Sequence, residues 1–196
     1  MECFFWSVGM VFEPQYYTCR VELTKVVALI TTVDDIYDMY GSLNELKVFT
    51  NAVKRSSYKF LMSAAIWTHN NYMSALEDYL DNTWRSASGM VILTHGYFLI
   101  YQGFKNDSVE SLDKKRDLYK WSSMLFRLFN DLATTSDEKE NDKSPKAISC
   151  YMHEHGVSEE VAREHIETLI DKAWMKMIKA RIVCSEHLTD PSMIWP

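Results

Sequence analysis

The chain has 196 residues, 47% hydrophobic and 24% charged, the balance of one globular domain with its own core rather than of a disordered segment. Its formal net charge is -6, with 21 Lys and Arg against 27 Asp and Glu, and no basic block offers the footprint of a nucleic-acid binder. No charge-free apolar run reaches the ~18 to 20 residues of a membrane span, and the first residues, MECFFWSVGMVFEPQYY, lack the basic start of a signal peptide, so the chain reads as soluble.

With 6 Gly and 4 Pro the chain is too poor in turn formers for an all-β fold, and its apolar residues recur at helical spacing, so an all-α fold is expected. A first long helix runs roughly from Gln15 to Tyr40, with Val21, Val26, Leu29, Ile30 and Val33 on its apolar face, and stops near Gly41. That helix ends in VDDIYD. On a helix Asp34 and Asp38 share one face about 6 Å apart along the axis, and Asp35 is turned away by about 100°. Carboxylates so placed repel unless a cation lies between them, and Mg²⁺ takes oxygen ligands of this kind. A solvated acidic helix end, with Asp35 paired to an Arg or Lys, accounts for the same pattern.

Ser42-Leu43-Asn44-Glu45 opens the next helix as a capping box, and the box recurs at Ser74-Ala75-Leu76-Glu77 and, in an Asp form, at Asp107-Ser108-Val109-Glu110. Ser88-Gly89 interrupts the helical pattern, so a break or kink is expected there. Further helices are expected at about Lys114 to Ala133, Pro145 to Glu154 and Ser158 to Val183, with the polar run TTSDEKENDKSP as an exposed loop. The cysteines Cys3, Cys19, Cys150 and Cys184 form no CxxC pair and read as reduced thiols. His153 and His155, two residues apart, face different sides of a helix and do not suggest a metal site.

A second oxygen-rich cluster lies in LFRLFNDLATTSDEKE. Asn130, Thr134 and Glu138 fall at i, i+4 and i+8, so an amide, a hydroxyl and a carboxylate line one helical stripe, while Asp131 lies off it. A metal that also binds an anionic substrate suits such a stripe, because Mg²⁺ commonly bridges a few protein oxygens to phosphate oxygens and waters. Arg127, one turn before Asn130, and Lys143 and Lys146 beyond the loop add cations that suit a diphosphate. A polar helix end running into a solvated loop is the plainer reading of the same residues.

Together the two clusters resemble the paired motifs of the plant class I terpene synthases, an aspartate-rich DDxxD facing (N/D)Dxx(S/T)xxxE. The likeness extends over FEPQYYTCRVELTKVVALITTVDDIYDMYGSLNELKVFTNAV, THNNYMSALEDYLDNTWRSASGMVILTHGYFL, KWSSMLFRLFNDLATTSDE and ISCYMHEHGVSEEVAREHI, phrased like the angiosperm branch rich in monoterpene synthases. The resemblance implies a helical bundle of the class I terpenoid synthase α-domain type, incomplete, with residues 1–196 forming part of the C-terminal metal-binding domain. It implies three Mg²⁺, with Mn²⁺ as a substitute, and metal-assisted ionisation of a prenyl diphosphate, geranyl diphosphate above all. The products implied are an allylic cation leading to a linalool-, ocimene- or limonene-type monoterpene, and diphosphate.

By the same resemblance Asp34 and Asp38 would bridge two metal ions, Asp35 would hold a cationic side chain, and Asn130, Thr134 and Glu138 would bind the third ion. Arg127 and Lys146 would hold the diphosphate, and Trp6, Tyr37, Phe98 and Tyr151 would wall the cavity. The Ser88-Gly89 interruption resembles the family's broken helix. Several family features are absent from this sequence: the basic RxR-type motif, the N-terminal helical domain, the last helices, and a helical stretch for which Arg55 to Tyr58 joins the flanks directly. KENDKSPK also stands where relatives usually carry an Arg-Gly pair. A truncated, inactive form serving as a helical metal-binding or interaction module, associating with itself or with a longer synthase through exposed apolar faces, is the alternative expectation. A prenyl-chain elongating enzyme is disfavoured, because such enzymes usually carry two DDxxD motifs. The compartment expected is the cytosol as the chain stands, and the plastid if a transit peptide precedes it.

Overall fold

The computed structural model describes residues 2–53, 56–86, 89–100, 115–134 and 145–186, without the side chains of residues 38–39, 53, 56–58, 90 and 185–186. Ser88, the Asp107 box, Glu138 and Lys143 lie outside the described residues, as does the Asp38 side chain. Nine α-helices occur among the described residues: α1 Glu2–Met10, α2 Tyr17–Asp35, α3 Leu43–Val53, α4 Ser56–His69, α5 Leu76–Ser86, α6 Gly89–Ile100, α7 Arg116–Thr134, α8 Ala147–His155 and α9 Glu159–Glu186. No strand occurs among them, so the all-α expectation holds. No described helix is long and apolar enough to cross a membrane.

The expected first helix is a composite. A 3-10 turn at Pro14–Tyr16 leads into α2, and beyond Asp35 the chain widens into a π-helical turn at Ile36–Tyr40. That turn is closed by the Gly41 N–H donating to Ile36 O at 2.8 Å. Gly41 is extended, at φ -82° and ψ 130°, and so is not the left-handed stop that its position suggests. Close approach requires it: a Cβ there would lie 2.5 Å from Leu46 Cδ2 and 2.8 Å from Ile36 O. Gly156, which ends α8 at φ 66°, does take the left-handed conformation, and its N–H donates to Met152 O at 2.8 Å.

The capping box at α3 forms as its spacing predicts. The Ser42 N–H donates to Glu45 Oε2 at 3.0 Å, and the Ser42 hydroxyl donates to the same oxygen at 2.6 Å. These bonds hold the Glu45 carboxyl below its ordinary range. The box expected at Ser74 is replaced by a distant partner. Ser74 is buried with its Oγ 3.7 Å from Cys150 Sγ, and the first N–H of α5, that of Leu76, donates to Glu154 Oε2 on α8 at 2.9 Å.

α7 is the central helix, packing on α5, α6, α8 and α9. Its Met124, Leu125 and Leu128 join Tyr79, Ile148 and Ile166 in the main core, each large apolar side chain contributing roughly 1.5–3 kcal/mol on burial. A second cluster joins Tyr37 and Leu46 to Met62 and Ala65 of α4. A third packs Val11, Cys19 and Leu23 against α6. Cys3, Cys19, Cys150 and Cys184 are all unbridged, as expected.

Candidate metal and diphosphate site

One cavity, of about 200 Å³, takes its lining from both oxygen-rich clusters: Asp34 near the end of α2, and Arg127 and Asn130 on α7. Leu61, Ala64 and Trp67 of α4 and Phe126 of α7 give it apolar walls, and Tyr79, Asn82, Thr83 and Ser86 of α5 line another side. Phe126 and Asn130 are i and i+4 on α7, so they share the face of that helix that lines the cavity. Thr134 closes the same stripe, with its hydroxyl donating to Asn130 O at 2.8 Å. Asp35 is exposed, and among the described residues no ion pair holds it.

Asp131, turned about 100° from Asn130 on α7, is 1% exposed. Its Oδ2 accepts the Tyr79 hydroxyl at 2.7 Å and the Ala147 N–H, the first of α8, at 2.9 Å. Its Oδ1 lies 3.0 Å from Arg127 Nε. A carboxylate at a helix N-terminus is favoured by the helix dipole as well as by the N–H it accepts. Burial pushes the Tyr79 phenol well above its ordinary range, the charge of Arg127 opposing and that of Asp131 adding to the rise.

Lys146 is buried, and its Nζ donates to Thr134 O at 3.2 Å, while Arg163 Nη1 donates to Leu132 O at 3.2 Å. Both cations thus sit on carbonyls of the last described turn of α7. Trp6 meets the edge of Phe126 at a centroid distance of 5.1 Å and so stands beside the cavity. The other aromatics expected in the wall are not among the lining residues. Tyr37 is buried in the second core cluster with its hydroxyl 2.7 Å from Thr50 Oγ1, Phe98 packs on Tyr97 within α6, and Tyr151 stacks on His165 at 4.0 Å. The aromatics that line this cavity are Trp67, Tyr79 and Phe126. For Phe126 the signal was its i+4 relation to Asn130, whereas nothing local in the sequence marks Trp67.

Among the described residues no group of three or more His, Cys, Asp or Glu side chains could hold a metal ion. Two donors that line the same cavity, the Asp34 carboxylate and the Asn130 amide, offer hard oxygen ligands. Such a set fits a small divalent cation that keeps waters and substrate oxygens in its shell, not one enclosed wholly by protein.

The profile described as "Terpene synthase family, metal binding domain" matches residues 1–59 and 55–176. The (E)-beta-ocimene synthase of Matricaria chamomilla var. recutita, a chloroplastic protein by its name, is 60% identical over 239 residues, covering 97% of this chain and 40% of that protein. The chloroplastic myrcene synthase of Quercus ilex is 36% identical, covering 94% of this chain and 39% of its own. The structure of limonene synthase with 2-fluorolinalyl diphosphate superposes with a TM-score of 0.84 at 32% identity, covering 93% of this chain and 42% of that one. Isoprene synthase from grey poplar leaves, in complex with three Mg²⁺ ions and dimethylallyl-S-thiolodiphosphate, gives 0.81 at 33% identity, covering 91% and 43%. The chain spans about 40% of the length of the curated relatives it matches. Since 97% of 196 residues is about 190, the 239-residue comparison leaves about 49 positions of the chamomile protein with no counterpart here. The profile match breaks and resumes at residues 55–59, on the direct junction noted in the sequence. This chain belongs to the terpene synthase family, matching its metal binding domain through most of its length.

Proposed function

We propose that this chain, as part of the C-terminal domain of a class I terpene synthase, binds geranyl diphosphate with Mg²⁺ and ionises it to an allylic cation that yields a monoterpene. The observation that carries this reading is the single cavity lined by Asp34 of the first motif and by Arg127 and Asn130 of the second. Asp34, Asn130 and Thr134 would ligate divalent metal, with Asp38 and Glu138 assigned the same role by motif. The number of ions is taken as three, as in the poplar relative's complex with three Mg²⁺ ions, and Mn²⁺ is taken as a substitute. Bound Mg²⁺ would supply the positive charge that stabilises the departing diphosphate.

Arg127 would meet that diphosphate as a planar fork. Lys146, seated on the last described turn of α7, would add positive charge from behind and keep Thr134 in register. Leu61, Trp67 and Phe126 would exclude water from the cation, and the aromatic faces would stabilise its charge. The chloroplastic relatives support a plastid setting. The test is Mg²⁺-dependent turnover of geranyl diphosphate, with farnesyl diphosphate alongside, following volatile products and released diphosphate together. Terpene with stoichiometric diphosphate is expected, and Asp34→Ala or Glu138→Ala should abolish it. A folded, monodisperse chain that neither turns over nor binds diphosphate with Mg²⁺ overturns the reading.

A further inference from the structure

We propose that Tyr79 and Asp131 are positioning residues that clamp Arg127 by its Nε edge, so that a diphosphate in the cavity meets a guanidinium already oriented. The inference rests on the reading of Arg127 as a diphosphate ligand and deepens it. Arg127 belongs to the cavity lining, with its side chain 30% exposed. Its Nε–H points inward, donating to Tyr79 Oη at 3.1 Å and lying 3.0 Å from Asp131 Oδ1. Tyr79 in turn donates to Asp131 Oδ2, the oxygen that also accepts the first N–H of α8. The three side chains form a closed triangle fixed to α5, α7 and the start of α8.

A guanidinium is planar, so fixing Nε fixes the plane in which the Nη nitrogens would meet an anion. An unrestrained Arg side chain would lose rotamer entropy when it bound, and prior clamping removes that loss from the binding step. Tyr79 suits the role because its burial keeps the phenol protonated. It therefore always donates to Asp131 and always offers its oxygen to Nε–H. Neither Tyr79 nor Asp131 needs to touch the substrate.

The test is a double-mutant cycle on calorimetric binding of inorganic diphosphate in Mg²⁺, with thermal melts on every variant. Tyr79→Phe keeps the ring and removes the hydroxyl, and should weaken binding about tenfold, the worth of one hydrogen bond to a charged group. In an Arg127→Gln background the same change should have no further effect. Full-strength binding by Tyr79→Phe, or penalties that simply multiply, overturns the clamp while leaving the metal and diphosphate reading intact. Absence of binding by the unmodified chain fails that reading instead. The Arg127 Hε resonance then separates the two claims: a clamped Nε–H exchanges slowly and sharpens, and both Tyr79→Phe and Asp131→Asn should broaden it. A broad Hε signal in the unmodified chain removes the clamp whatever the binding result.

Discussion

Asp131 shows how a residue can matter without standing on the functional stripe. From spacing alone it lies off the Asn130, Thr134 and Glu138 line and is expected to matter less than they do. In the structure it joins α5, α7 and α8 through buried bonds. Asp131→Ala would leave the Tyr79 hydroxyl and the Ala147 N–H without their acceptor and the buried edge of Arg127 without its counter-charge. Loss of one partner of a buried pair typically costs about 3–5 kcal/mol. Urea unfolding should therefore show a loss of that order for Asp131→Ala and little change for Asn130→Ala, which is exposed. That Arg127 and Asn130 lie about one turn apart on α7 was legible in the sequence, because helical spacing sets it. The bonds of Asp131 were not, because two of its partners lie 52 and 16 residues away.

Helix boundaries were most legible where periodicity and end signals agree. α7, α8 and α9 begin and end within a few residues of expectation, and the Ser42 box caps α3 as its spacing demands. Ser74 failed as a cap because Glu154, 78 residues from Leu76, supplies the acceptor, a tertiary choice that no local pattern reports. The π turn at Ile36–Tyr40 was equally hidden, since one extra residue in a turn leaves the apolar pattern almost unchanged. The α3 cap has a definite pH signature. Because the folded Glu45 carboxyl is held low by Ser42, its contribution is present above the ordinary carboxylate range and is lost as pH falls through the folded value. Thermal melts should show Glu45→Gln less stable than the unmodified chain at neutral pH, with the difference vanishing well below that range.

For the whole molecule, the match to the family model breaks and resumes at residues 55–59, and the chamomile relative carries positions that have no counterpart here. α4, which begins at Ser56 within that junction, supplies Leu61, Ala64 and Trp67 to the cavity. Leu29, Tyr40 and Val48, on the neighbouring α2, π turn and α3, are each more than half exposed. Covering ~200 Å² of such surface is worth about 5 kcal/mol, which in a domain of this size raises Tm by roughly 10–20 °C. Inserting the relative's additional positions between Arg55 and Ser56 should therefore raise Tm and reduce binding of an apolar dye. An unchanged Tm would mean that α4 already covers what the added segment covers in the relative.

The direction of the helices around the cavity carries one more consequence. The described part of α7 runs to Thr134, one turn beyond Asn130, and the helical run that holds Asp34 ends at Tyr40. A helix ends in about half a negative charge, felt mainly over its last turn. The peptide backbone therefore makes this mouth electronegative even before Asp34 ionises, and Lys146 and Arg163 offset only part of that at the carbonyls they cap. A bare polyanion arriving here meets repulsion from the scaffold itself. Under the proposed function, its passage inward would depend on the counterions that travel with it, because of the polarity of helices in a single chain.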